Sequence, residues 1–272
     1  MRSFKPYDIA LTIKDLQEIL RIDTRISVKC FNLGVRCRAY REYERLTYYN
    51  NAISRHFMDL RFCTMCDLTR DPKFRKTHKG EELSVAIGAW DIMKYDHLRC
   101  KYFLLPWFTG KNFMLYMLDH MDKKLYVIDP SPIPSWCEGN AFRKYGKNLT
   151  HFSKSYMSAV NVQSSGWYED IYKWSFRHEK EIVQDSEEGY STGYLVLQYM
   201  STWKNTQNTK ICKDARTMRK NIIDVLASDL NDYQKLLPTN VKDYLSRITN
   251  KIYKIEYSVQ LVEYLVEKLT WK

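Results

Sequence analysis

The chain has 272 residues, 44% of them hydrophobic and 28% charged, a balance that excludes intrinsically disordered, collagen-like and purely coiled-coil architectures and leaves enough length to bury a sizeable core. Lys and Arg number 43 against 32 Asp and Glu, and the formal charge of +11 favours an acidic partner without naming it. The longest apolar runs, Phe103 to Trp107 and Phe113 to Leu118, are too short to cross a bilayer and no apolar stretch follows Met1, so neither a membrane span nor secretion is expected.

In chain order, Asp15 to Ile22 reads as a short helix, and Arg38 to Leu60 as a longer one on the recurrence of Ala39, Tyr43, Leu46, Asn50, Ile53 and Phe57. Asp71, Pro72, Lys79 and Gly80 bracket a basic loop holding Arg70, Lys73, Arg75 and Lys76, and Glu81 to Ile92 is again helical. The period then changes. Lys101 to Trp107, Phe113 to Asp119 and Lys124 to Ile128 have strand lengths, and the Asp-Lys-Lys turn before Lys124 makes the last two a hairpin. Gly139 to Val160 returns to a helical period, Glu181 to Val183 is a candidate edge strand, and Thr192 to Trp203 starts a helix beside Gly193. Helices on both sides of a mid-chain sheet predict an α+β fold.

The chain ends differently. Asp214 to Asn231 carries Met218 and Ile222 on one face, and Lys210, Lys213, Arg216, Arg219 and Lys220 form a basic patch opposite. Beyond it, Leu245, Ile248, Ile252, Ile255, Val259 and Val262 belong to a heptad seam that fits either a coiled coil or a terminal helix lying on its own domain.

Seven cysteines (Cys30, Cys37, Cys63, Cys66, Cys100, Cys137, Cys212), an odd number widely scattered, suit reduced thiols in the cytoplasm or nucleus. Only Cys63 and Cys66 have ligand-like spacing. A zinc site would need two more donors from Cys30, Cys37 and His56, and buried apolar cysteines are the expectation, with no metal and no cofactor.

One pattern resembles a known family. Leu104-Leu105-Pro106-Trp107, then Gly110-Lys111-Asn112-Phe113-Met114-Leu115, then a hairpin ending in Ile128-Asp129-Pro130, is similar to the ubiquitin-like protease family, papain-fold cysteine peptidases that mature and remove SUMO and related modifiers. Gly189-Tyr190-Ser191-Thr192-Gly193-Tyr194-Leu195-Val196 resembles the Gly-Tyr-Asp-Cys-Gly stretch in which that family's nucleophile opens a helix, and Val28-Lys29-Cys30-Phe31 resembles its substrate-side helical region. The resemblance runs from about Arg25 to Trp203 and is nearest to divergent, transposon-associated plant relatives. It implies a papain-like fold with a helical N-terminal part, a central mixed sheet and extra C-terminal helices, divided as 1–24 (extension), 25–205 (protease-like domain) and 206–272 (helical extension).

The resemblance also implies a site. The family's His-Trp pair falls on Asn112-Phe113, its Asp on Asp129, its oxyanion-supporting Gln on Ser186, with Gln184 as the alternative, and its Asp-Cys-Gly on Ser191-Thr192-Gly193. Only the aspartate survives. Cysteine proteolysis needs a thiolate, an imidazole that takes and returns the proton, and a donor aimed at the oxyanion. An amide such as Asn112 does not titrate near neutral pH, and an internal Thr192 lacks a base. His120, His97 and His178 are candidate substitute bases, but His120 sits at the far end of its strand from Asn112. Cys137 and Cys100 lack a Gly at a helix start. Asp129 is then expected to cap its turn and Thr192 to cap its helix.

The sequence therefore reads as an inactive homologue acting as a protein-binding or scaffolding module. Phe113 and Trp107 stand where an aromatic tunnel over a modifier tail would lie, beside Gly193, or else are core aromatics. The partner is a ubiquitin-like modifier, or a second copy through the terminal seam. The alternatives are an active deconjugating peptidase with a rebuilt site and a basic nucleic-acid binder, the latter without a recognisable motif.

Overall fold

A computed structural model describes residues 7–66, 76–90, 93–137, 139–179, 181–203 and 210–228, with backbone alone at residues 2, 3, 227 and 228. Two-residue strands β1 (Arg2–Ser3) and β2 (Ile9–Ala10) pair antiparallel and lead into α1 (Ile13–Leu20). Thr12 and Asp15 close a capping box there, each side chain accepting from the other's backbone N–H and so satisfying two otherwise orphaned donors.

Helix α2 (Val28–Tyr48) is capped by Ser27, which accepts from the Cys30 amide. The helix expected to run to Leu60 stops here instead. Asn50 adopts a left-handed φ of +49°, a conformation that asparagine tolerates, and the chain then enters β3 (Arg55–Phe57). Ile53 and Phe57 continue the helical spacing by coincidence: both pack on the core, but from a loop and a strand. Helices α3 (Arg61–Met65) and α4 (Gly80–Ile87) follow, α4 ending short of the expected Ile92.

Strands β4 (Tyr102–Phe108), β5 (Phe113–Asp119) and β6 (Lys124–Ile128) form the antiparallel centre of a five-stranded sheet ordered β3-β4-β5-β6-β7, with β3 parallel to β4 and β7 parallel to β6. Pro106 is tolerated inside β4 for a geometric reason. The Leu104 carbonyl accepts from Met58 N on the β3 side, so the Pro106 nitrogen points that same way, beyond the end of β3, where no donor is needed. Between β5 and β6, Asp119 Oδ1 accepts from the Met121 and Asp122 amides, and Lys123 takes a positive φ.

The edge strand is β7 (Ser175–His178), not Glu181 to Val183. Phe176 is the reason, since its ring packs against Phe142 and Tyr145 of α5 (Phe142–Gln163) and draws that segment onto the sheet. Val183 instead donates its amide to the Tyr199 hydroxyl from a loop. Helix α6 (Thr192–Thr202) lies on β5, and α7 (Ala215–Ser228) closes the described chain. One core cluster runs from Ile9 to Leu226, so α1 from the first segment and α7 from the last pack on the same body as the sheet. No helix among the described residues is long and apolar enough to cross a membrane.

Candidate functional site

The residue before β5, the residue after β6 and the first residue of α6 converge, because β5 and β6 are hydrogen-bonded neighbours and α6 packs on β5. These are Asn112, Asp129 and Thr192. Asn112 and Asp129 line one cavity of about 550 Å³ together with Ser131, Lys144, Tyr145 and Asn148. Thr192 does not reach it. Fully buried, its hydroxyl accepts from Phe113 N at 3.2 Å and donates to the Gly189 carbonyl at 3.1 Å.

The expected capping role of Thr192 is corrected by this geometry. Ser191 is the cap position and makes no side-chain cap bond, while the Thr192 hydroxyl ties the helix start to the strand start. The cap is supplied from outside: Asp185 Oδ2 accepts from the Ser191 amide at 2.5 Å. Ser186 and Gln184 are both exposed, and Ser186 donates its amide to Asp185 Oδ1. A carboxylate thus stands at the helix start where a protease needs a donor, and negative charge there opposes an oxyanion.

Asn112 is held by its backbone, donating to Thr109 Oγ1 and accepting at its carbonyl from Thr109 N and Oγ1. Its Oδ1 is buried without a hydrogen-bond partner among the described residues and presses on Gly189, whose φ is +70°. A Cβ at Gly189 would overlap that oxygen, so glycine is required twice over, by the turn and by the contact.

Asp129 is buried and fully engaged. Oδ1 accepts from the Ser131 amide at 2.9 Å and the Ser131 hydroxyl at 2.5 Å; Oδ2 accepts from the Tyr145 hydroxyl at 3.0 Å and pairs with Lys144 Nζ at 2.7 Å. The turn-capping role expected of Asp129 is present in the Ser131 amide bond, and the lysine and tyrosine come from α5. Burial first, then the Asp129 charge, pushes the Tyr145 phenol upward, so it stays a donor. No spacing in the sequence announces Lys144, Tyr145 or Asp185 as site residues.

None of the three candidate histidines reaches Thr192. His178 on β7 lies 3.3 Å from the Tyr145 hydroxyl, which in turn donates to Asp129. His120 bonds to the Tyr156 hydroxyl at 2.8 Å and stacks on Phe103, and burial holds it down at about 4. His97 stacks near His56, whose ring is fixed between the Tyr95 hydroxyl and the Ile87 carbonyl and is pushed by burial to about 3.

The aromatic positions resolve into packing. Phe113 is buried, stacks on Phe31 and packs at a tilt against Phe108, and Gly193 lies under it, where a Cβ would overlap Ile26. Phe113 therefore cannot roof an open tunnel. Trp107 is also buried, against Phe152 and Tyr116, but its edge lines a second cavity.

In the basic patch, Lys210, Lys213 and Arg216 are exposed and Lys220 half-buried, while Arg219 does not belong to it. Fully buried, Arg219 donates to the carbonyls of Arg21, Ile22, Thr24, Ala215 and Tyr190 and lies over the Tyr194 ring. Carbonyls of three segments converge on one guanidinium there, a need that helical spacing does not encode. The seam residues Leu245 to Val262 lie outside the described residues.

Cys63 shares its sulfur with the Phe108 backbone, and burial pushes the Cys66 thiol up to about 12, so both sit as inert thiols. No group of three or more His, Cys, Asp or Glu among the described residues is placed to hold a metal ion.

No protein-family model and no curated protein matches the sequence. Solved structures do match. The SUMO protease Ulp1 with its catalytic cysteine oxidized to a sulfonic acid superposes with a TM-score of 0.53 at 15% identity, covering 82% of this chain and 87% of that one. The C-terminal Ulp1 protease domain in complex with Smt3, the yeast ortholog of SUMO, gives 0.53 at 14%, covering 85% and 89%. At such identities the likeness speaks for the fold, and the chain has the α+β fold of the Ulp1-type ubiquitin-like proteases.

Proposed function

We propose that this chain is a non-cleaving homologue of the ubiquitin-like proteases that acts by binding protein, with a ubiquitin-like modifier as the partner. The observation that carries the reading is the Thr192 hydroxyl, buried and committed to Phe113 N and Gly189 O with no imidazole beside it. Hydrolysis would need an attacker that reaches solvent and a base within bonding distance. Asn112 supplies neither, and the aspartate that orients a histidine in a triad is here engaged by Lys144 and Tyr145. The choice of modifier rests on the fold likeness to a Ulp1 domain whose structure was solved with Smt3 bound.

The test pairs chemistry with binding. Incubation with a SUMO vinyl sulfone and with a SUMO precursor should yield neither adduct nor cleavage, while calorimetry with mature SUMO should give reversible binding. A covalent adduct that disappears in Thr192→Ala would overturn the reading in favour of an active peptidase. Absence of binding to any ubiquitin-like modifier would remove the partner.

A further inference from the structure

Helix α5 carries Arg143, Lys144, Lys147 and Lys154 and not one acidic residue in its 22 positions. Lys144 is neutralised by Asp129. Arg143, Lys147 and Lys154 are exposed, spaced by four and seven residues along one face, and make no ion pair among the described residues. At the middle of that stripe Lys147 also lines a cavity of about 310 Å³, whose other lining residues are the apolar Val28, Leu60, Cys63, Trp107 and Phe108 together with Thr64, Thr109, Gly110 and Asn148. Its volume is at the lower end of the range of natural ligand pockets and suits a single large side chain. An apolar hole with a cationic rim continuing as a cationic helix face is complementary to one chemistry: an apolar side chain flanked by carboxylates.

We propose that this pocket and the α5 stripe dock an extended acidic segment of another protein, one aliphatic or aromatic side chain seated against Trp107 and its carboxylates on Lys147, Arg143 and Lys154. The pocket adjoins the cavity that Asn112 and Asp129 line, the two sharing Thr109 and Asn148 in their walls, and the proposal does not rest on the modifier reading. A protein segment is favoured over nucleic acid because Trp107 is buried and the half-buried Phe108 ring is already packed on Phe113, which leaves no platform on which successive bases would stack.

The test uses the full-length protein and a fluorescein-labelled peptide, Asp-Glu-Glu-Leu-Asp-Glu-Asp, read by anisotropy. Binding should weaken with added sodium chloride and fall about tenfold in the Lys147→Glu, Lys154→Glu double variant, the loss of two exposed ion pairs with added repulsion. It should fall comparably when Leu in the peptide becomes Asp, and when Val28→Trp fills the pocket, circular dichroism serving as the check on folding. Equal binding of a Gln/Asn version of the peptide, indifference to the double variant, or no binding at all would overturn the proposal. So would a single-stranded oligonucleotide that competes through the same lysines with higher affinity.

Discussion

Lys144 Nζ lies 2.7 Å from Asp129 Oδ2, so the buried carboxylate that follows β6 is paired with a cation from α5. Removing one partner of a pair this buried leaves an uncompensated charge. Lys144→Met should therefore lower stability by about 3 kcal/mol in urea titration, softened by the remaining Tyr145 and Ser131 bonds. Adding Asp129→Asn should recover part of that loss; a double variant weaker than the single would show that the carboxylate is stabilised by something other than the lysine.

The same pairing predicts that installing a histidine at Asn112 and a cysteine at Thr192 does not create a protease. The Asn112→His, Thr192→Cys variant places an imidazole beside a carboxylate that is already engaged and a thiol at a buried position with Asp185 at the helix start. Vinyl-sulfone labelling, followed by intact mass, should stay at background. Labelling comparable to that of an active SUMO protease would show that the site closes only in the native sequence.

The histidines around Phe103 set an acid limit. His56 and His120 are held near 3 and 4 by burial, well below the 6.5 of an unfolded chain, so the unfolded state binds more protons below that pH. Their contribution is complete above about pH 6.5 and is lost as the pH falls toward 4. Urea midpoints should drop across pH 7, 6 and 5, and more gently in His120→Gln. A slope identical to the parent's would mean that His120 does not titrate with unfolding.

Arg219 joins α7 to the chain after α1 through the carbonyls of Arg21, Ile22 and Thr24, and bonds as well to Tyr190 and, within α7, to Ala215. Arg219→Met would remove the five hydrogen bonds of a fully buried guanidinium, a cost of about 3 kcal/mol. Arg219→Lys should recover little, because an ammonium has three donors and no planar fork. Thermal unfolding of both variants checks this; a fully rescuing lysine would reduce the role to charge alone.

Gly189→Ala should cost about 2 kcal/mol, from the left-handed φ and from the overlap with Asn112 Oδ1. In Gly189→Ala, Asn112→Ala the overlap is gone and only the backbone strain remains, so a double-mutant cycle should show a positive coupling. Additive losses would place the whole cost in the backbone.

The sequence by itself determined the central hairpin, the helix that opens at Thr192 and the identities of the residues, Asn112 and Thr192, that stand at the two element starts. Each is a local matter: strand length, a turn, the identity of a residue at one position. It also showed which residues of α7 face inward at Met218 and Ile222, because helical spacing reports burial directly. Only the tertiary structure decided which partners those elements found. Arg219 has the spacing of a solvated patch, yet it is buried because carbonyls from Arg21, Ile22, Thr24 and Tyr190 gather at its guanidinium. Asn50 ended a helix whose apolar period ran on to Phe57, and Phe176 drew the edge strand away from Glu181. Lys144 and Asp185 reach the site from segments that no motif marked. Periodicity records whether a residue faces inward, whereas hydrogen bonds and ion pairs between remote segments exist only once the fold has brought the chain together.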